Sequence, residues 1–220
     1  MKDELAKYIE HTLLLPQAIE KDYARLCREA VEYNFYGVCL PPDRVRLACS
    51  LLAGSAVRVV TVVGFPLGFQ TGASKVNEAK NALADGAQEL DMVINIGLLK
   101  EGRRSVVERE ISSVVQAAGA CREKPVIKVI IETCYLTDKE KIAAAQAVAA
   151  AGADFVKTST GFGPQGASAE DVALLRRAAP TQLRIKAAGG IRTREQALAL
   201  INAGADRLGT SRGPDLLMPY

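Results

Sequence analysis

The sequence predicts an α/β fold, a (β/α)8 barrel formed as one domain over residues 1–220, and three observations predict it. Short β-branched runs alternate with longer Ala/Leu-rich amphipathic stretches, the pattern of parallel strands covered by helices. The clearest runs, Val57-Arg58-Val59-Val60-Thr61-Val62-Val63 and Val126-Ile127-Lys128-Val129-Ile130-Ile131, are apolar almost throughout, as suits strands buried on both faces. A helix-end signal also recurs in Asn34-Phe35-Tyr36-Gly37, Asp85-Gly86-Ala87-Gln88, Ala151-Gly152-Ala153-Asp154 and Ala203-Gly204-Ala205-Asp206. Positions 34, 86, 152 and 204 would take the left-handed conformation that closes a helix. They precede the second, fourth, sixth and eighth strands. Four units of two strands give eight, and eight β/α units in about 250 residues or fewer form a closed barrel. An open doubly wound sheet is the alternative for the same alternation.

In chain order, strands are expected near 9–12, 36–40, 57–63, 89–94, 126–132, 154–158, 183–187 and 206–209. Helices are expected near 20–33, 43–53, 73–85, 103–121, 138–151, 168–178 and 193–203. Ser168 is an N-cap, and Thr193 with Gln196 makes a capping box. These starts place the ends of the sixth and seventh strands at the C-terminal mouth, where barrels of this class carry their sites.

Composition narrows the function. The net charge is only +3 and no Lys/Arg block stands out, so neither nucleic acid nor an anionic membrane is an expected partner. Aromatics are 5% and Trp is absent, which disfavours a base-stacking surface. Five cysteines, Cys27, Cys39, Cys49, Cys121 and Cys134, form no C-x-x-C pair and point to reduced thiols in a cytoplasmic protein. The first ten residues mix charges and suggest no secretory leader, and no apolar run reaches the about 18 residues that span a bilayer. The single histidine, His11, argues against a metal-dependent mechanism built on several His ligands, and no metal or organic cofactor is expected.

Two lysines stand at predicted strand ends. Lys157 lies in Asp154-Phe155-Val156-Lys157-Thr158-Ser159-Thr160-Gly161 and Lys186 in Arg184-Ile185-Lys186-Ala187-Ala188-Gly189-Gly190. Burying an ammonium is costly, so two lysines aimed into one pocket call for a reason. Their repulsion is expected to lower the pKa of at least one, and a neutral lysine can form a Schiff base with a carbonyl. Strand alternation puts Phe155 inward with Lys157, and Arg184 with Lys186. Asp91 can point inward with Val93 and Asn95, and there it would partly neutralise the lysines and move protons. Lys128, Ile130 and Glu132 share a face on the fifth strand, and Lys128 is a candidate substrate contact. The plain alternative for all of these charges is an ion-pair network filling the barrel.

Gly189-Gly190-Ile191 and Gly209-Thr210-Ser211-Arg212-Gly213 follow the seventh and eighth strands, where such barrels bind phosphate with backbone N–H groups and a short helix. Ser211 can donate and Arg212 can pair with an anion. Tight turns requiring positive φ are the alternative. Thr12 can donate to a substrate hydroxyl, Gly64-Phe65-Pro66-Leu67-Gly68 shapes a loop at the same mouth, and Cys39 reads as a small buried thiol. Tyr220 is the last residue, either frayed or folded back with its phenol in the pocket.

Together these segments resemble the deoxyribose-phosphate aldolases, a class I, Schiff-base family. The resemblance rests on His11-Thr12-Leu13-Leu14, Gly64 to Gly68, Glu89-Leu90-Asp91-Met92-Val93, Lys128-Val129-Ile130-Ile131-Glu132-Thr133, Val156 to Phe162 and Lys186 to Ile191, in family order over nearly the whole chain. It implies that Lys157 is the Schiff-base lysine, Lys186 its activating neighbour and Asp91 the proton-relay carboxylate. Gly161, Gly189, Gly190, Gly209 and Ser211 match phosphate-loop positions, and a C-terminal Tyr such as Tyr220 is a family feature. Three positions depart: Glu10 where Asp is usual, Cys134 where Gly is frequent, and Arg212 where a small residue or Gly is common. The implied reaction is reversible cleavage of 2-deoxy-D-ribose 5-phosphate to D-glyceraldehyde 3-phosphate and acetaldehyde in deoxyribonucleotide catabolism. The implied partners are those small molecules and a second copy of the chain, as a homo-oligomer (dimer or tetramer). Rival functions are another Schiff-base barrel aldolase, a non-catalytic sugar-phosphate binder and a pyridoxal-phosphate enzyme.

Overall fold

A computed structural model describes residues 2–119 and 123–217, so Cys121 and Tyr220 lie outside the described residues. Eight strands alternate with helices: β1 Ile9–Thr12, β2 Gly37–Leu40, β3 Arg58–Val63, β4 Glu89–Val93, β5 Val126–Ile130, β6 Phe155–Lys157, β7 Arg184–Ala188 and β8 Arg207–Thr210. They close in sequence order, β8 pairing in parallel with β1, so the sheet is a barrel and not an open doubly wound sheet.

Around it lie α1 Lys2–Ala6, α2 Glu20–Glu32, α3 Val45–Leu51, α4 Gly72–Ala84, α5 Ile96–Lys100, α6 Arg104–Ala118, α7 Asp138–Ala150, α8 Ala169–Ala178, α9 Arg194–Asn202 and α10 Gly213–Leu217. The sequence periodicity misses α1, α5 and α10 because five residues are too few to show a helical repeat. The helix expected near 43–53 opens as a 3-10 turn, Pro42–Arg44, before α3.

Local signals behave as the sequence implies. Ser168 Oγ accepts from Asp171 N at 3.1 Å, and Thr193 and Gln196 form a reciprocal capping box. Asn34, Gly86, Gly152 and Gly204 all have positive φ, at 54°, 107°, 80° and 111°. The repeat therefore marks helix closures, as its Gly-rich composition suggests.

The core has two shells. Outward side chains such as Val38, Leu90, Met92, Val129, Val156, Ile185 and Leu208 are buried beneath the helices. The inward set includes a small apolar group, Cys39, Val60 and Val62, and a set of charged residues.

Candidate active site

Strand register brings the two lysines together. Lys157 and Lys186 are Cα partners across β6 and β7, Asp91 pairs with Lys128 across β4 and β5, and Ile130 pairs with Lys157. Directly opposed residues point to one face of a sheet, here the barrel interior. Asp91 is the hub. Its Oδ2 accepts from Lys157 Nζ at 2.7 Å and from Lys186 Nζ at 2.6 Å, and its Oδ1 accepts from Lys128 Nζ at 2.9 Å. Lys186 also donates to Glu10, which reaches toward Lys128 at 3.4 Å and Arg207 at 3.6 Å. Glu89 Oε2 lies 2.7 Å from Lys128 Nζ without a hydrogen-bond angle, so that attraction is Coulombic.

The lowering expected of at least one of the two lysines is not found at Lys186. Burial opposes the charge on Lys186, but Asp91 and Glu10 outweigh it, and its pKa is raised rather than lowered. Lys128 behaves likewise: burial is overridden by Asp91, Glu10 and Glu89, which hold the ammonium well above the usual lysine range. Burial would protonate Asp91, yet Lys128, Lys157 and Lys186 hold its carboxyl well below the usual range. The lysines do not simply repel, because three carboxylates stand between them.

A cavity of about 480 Å³ opens above this cluster. Lys157 lies in its floor, and Thr12, Gly161, Gly189, Gly190, Gly209, Ser211 and Arg212 are in its walls. Lys128 and Lys186 do not line it. Lys128 was a candidate substrate contact; its ammonium instead sits at 0% exposure among carboxylates, too deep to meet a ligand. Asn95 does not project inward with Asp91; its Oδ1 caps α5 by accepting from Leu98 N at 3.1 Å. Glu132 does not share the inward face of Lys128, since β5 ends at Ile130 and Glu132 turns left-handed at φ 53°. Among the described residues, no group of three or more His, Cys, Asp and Glu side chains is placed to hold a metal ion.

A family model described as DeoC/LacD family aldolase matches residues 5–213. The chain belongs to this aldolase family. It is 55% identical over 212 residues to the deoxyribose-phosphate aldolase of Thermococcus gammatolerans, covering 96% of this chain and 93% of that protein. It is 53% identical to the enzyme of the same name from Dictyoglomus turgidum, covering 97% and 96%. Among solved structures, a deoxyribose-phosphate aldolase from Aeropyrum pernix, described as a unique tetramer, superposes with a TM-score of 0.92 at 37% identity, covering 99% of this chain and 91% of that one. A putative deoxyribose-phosphate aldolase from Coccidioides immitis superposes with a TM-score of 0.95 at 42% identity, covering 99% and 85%. The protein is therefore an enzyme, a lyase of the aldolase type.

The glycines of the aldolase play different parts at the mouth. Gly189 and Gly190 both have positive φ, 87° and 75°, which only glycine adopts freely. Gly209 is part of β8, and a Cβ there would sit 3.2 Å from Lys186 Cε, so its smallness also gives the lysine stem room. Ser211 is exposed at the cavity rim, just before α10. The Arg212 guanidinium donates to Asp215 at 3.1 Å, while its backbone N donates to Thr210 Oγ1 at 2.9 Å. Thr12 Oγ1 donates to Glu10 O at 3.0 Å. Cys39 is fully buried, and burial pushes its thiol up to about 11.

Several positions carry no local sequence signal. Glu10 entered only as a departure from the family pattern, Glu89 only as part of a motif, and Arg207 not at all; each is identifiable only from the closed barrel. Arg207 stacks on the Tyr36 ring at 3.1 Å, and Tyr36 donates to Glu89 at 2.5 Å. Gly166 was also missed. A Cβ there would fall 2.1 Å from Gly189 O, and Ala167 N donates to Ala188 O and Gly189 O at 3.1 and 3.0 Å. We expect Gly166→Ala to push the Gly189 loop aside and raise KM for a phosphorylated substrate about tenfold or more, the scale of a displaced anchoring contact. Steady-state kinetics on phosphorylated and unphosphorylated substrates would check this, and an equal change on both would show that the loop does not hold phosphate.

Proposed function

We propose that the aldolase cleaves 2-deoxy-D-ribose 5-phosphate reversibly to D-glyceraldehyde 3-phosphate and acetaldehyde, through a Schiff base on Lys157. One observation carries the choice of nucleophile: of the three lysines bound to Asp91, only Lys157 lines the cavity. The substrate is suggested by the names of the curated relatives.

The reacting form of Lys157 is the neutral amine. The ion-paired interior holds four basic groups, Lys128, Lys157, Lys186 and Arg207, against three acidic ones, Glu10, Glu89 and Asp91. With all of them ionised, one positive charge is in excess. Lys128 and Lys186 are held charged by their carboxylates, and Lys157 alone of the three lysines opens to the cavity, where a substrate carbonyl can reach its amine.

Its lone pair attacks C1 of the open-chain sugar, and loss of water leaves an iminium. That cation draws the electrons of the C2–C3 bond, the bond dividing five carbons into two and three. The bond breaks as the C3 hydroxyl loses its proton, and glyceraldehyde 3-phosphate departs. The enamine is protonated at C2 and hydrolysed to acetaldehyde and free Lys157. Asp91 stays anionic against the iminium, and with Lys186 it relays protons through water. Gly161, Gly189, Gly190, Gly209 and Ser211 receive the phosphate, with Thr12 on a substrate hydroxyl and the positive charge of Arg212 at the rim. A role for Tyr220 in protonating the enamine belongs to this reading on sequence grounds.

Borohydride reduction in the presence of acetaldehyde, followed by peptide mapping, tests the proposal. An ethyl group is expected on Lys157. An ethyl group on Lys186, or none at all, would overturn the assignment. No described helix is long and apolar enough to cross a membrane. Cys27, Cys39, Cys49 and Cys134 are unpaired thiols, which supports a reducing cytoplasm. The names of the curated relatives support a part in deoxyribose phosphate catabolism. A homo-oligomer is supported by the tetrameric relative.

A further inference from the structure

Outside the lysine cluster, the most unusual backbone belongs to Glu132. Two described non-glycine residues have positive φ, Asn34 at 54° and Glu132 at 53°. Asn34 closes a helix, where this conformation is common. A glutamate leaving a strand has no such local reason, and its Cβ crowds the following carbonyl. Tertiary contacts must therefore hold it there.

Its tertiary contacts lie in the loop after β6, while from the turn that follows Glu132 the Cys134 Sγ donates to Oε1 at 3.8 Å and Tyr135 N to the Glu132 carbonyl at 3.1 Å. Thr160 N donates to the two carboxylate oxygens of Glu132 at 3.3 and 3.2 Å, and the Thr160 hydroxyl donates to Oε2. The neighbouring backbone is stitched by Thr133 N to Thr158 O at 2.9 Å. Gly163 leaves space for the carboxyl, since a Cβ there would stand 3.3 Å from Glu132 Cδ. The carboxylate is 2% exposed, so it is built into this loop rather than resting on it.

The loop begins immediately after Lys157, and Thr160 lines the catalytic cavity. A threonine hydroxyl has one proton and two lone pairs. The proton goes to Glu132, and one lone pair accepts from Phe162 N at 3.0 Å. One lone pair is left, so the Thr160 hydroxyl can accept a further hydrogen bond but not donate one.

We infer that Glu132 is a positioning residue for the aldol reaction: it locks the loop over 158–163 and sets Thr160 as an acceptor that selects a substrate hydroxyl. The inference rests on the reading of Lys157 as nucleophile and of its cavity as the substrate site. It separates two substrates. The sugar phosphate presents hydroxyls to the wall, whereas acetaldehyde has none.

Glu132→Met tests it at nearly constant length. With both carboxylate oxygens gone, Thr160 N and the Thr160 hydroxyl lose their acceptor, and the hydroxyl proton is free to turn into the cavity. Cleavage of deoxyribose 5-phosphate is expected to lose about tenfold or more in kcat/KM, the scale of one lost hydrogen bond to substrate. Borohydride trapping of acetaldehyde on Lys157 is expected to stay within about twofold of wild type, since no hydroxyl is involved. Cleavage left intact, or cleavage and trapping falling in equal proportion, would overturn the inference. If the Met variant does not fold, Thr160→Val removes the hydroxyl at constant shape. It should show the same selective loss, and normal cleavage there would overturn the inference equally. Wild-type protein that fails to trap on Lys157 would sink the parent reading, before any Glu132 variant is compared.

Discussion

Lys157→Leu is expected to abolish cleavage while leaving the barrel folded and no less stable. The activity side follows from chemistry: with the amine gone, no iminium can form, and kcat should fall by at least about 10⁴-fold, as for other lost covalent nucleophiles. The stability side follows from the charge count. Removing Lys157 changes four basic and three acidic groups to three of each, and Asp91 keeps Lys128 at 2.9 Å and Lys186 at 2.6 Å. The remaining interior is electrically balanced. Turnover and the thermal midpoint, measured on the same preparation, check both halves. Residual cleavage near wild type would move the nucleophile elsewhere, and a large fall in midpoint would show that Lys157 is a structural ion-pair partner.

Asp91→Ala should do the opposite to stability. It removes one carboxylate from three lysines and leaves four basic groups facing two acidic ones. Breaking a buried ion cluster by deleting one partner costs about 3–5 kcal/mol. For a chain of this size that corresponds to about 2–4 °C of midpoint per kcal/mol. Cleavage should fall as well, because the anion facing the iminium is gone. The same carboxylate sets an acid limit. Burial opposes its ionisation, but the lysines override burial and hold its pKa well below the usual range, so the unfolded chain binds this proton more readily than the folded one. Its stabilisation is present above the unfolded carboxyl range, about 3.9, and is lost as pH falls from there toward the native value. Lys186 works in the other direction: with its pKa raised, its contribution is complete below the ordinary lysine value and lost only as pH rises beyond it. In denaturant titrations across the acid range, Asp91→Asn should flatten the acid limb. An unchanged limb would assign acid unfolding to other carboxylates.

Much of the architecture is legible because its signals are local. A β-branched run, a Ser or Thr cap and a left-handed closure each depend on a few neighbouring residues, so strand ends and helix starts emerge within a residue or two. The short α1, α5 and α10 escape because five residues carry no repeat. The lysines Lys157 and Lys186 are legible for the same local reason: each ends a strand just ahead of a small-residue loop, and alternation aims both inward.

The sequence alone therefore determined that this is an eight-stranded barrel, that Lys157, Lys186 and Asp91 share its interior, and that glycine loops stand at one mouth. Only the tertiary structure decided which lysine meets the cavity and which are sealed beneath it. Lys186 is held by Glu10, 176 residues away, and Lys128 is drawn under by Glu89, Asp91 and Glu10. Likewise, Glu132 left the strand face assigned to it because Thr160, 28 residues on, binds its carboxylate. Such choices turn on charge pairing and burial across strands joined only when the barrel closes, and no window of neighbouring residues contains them.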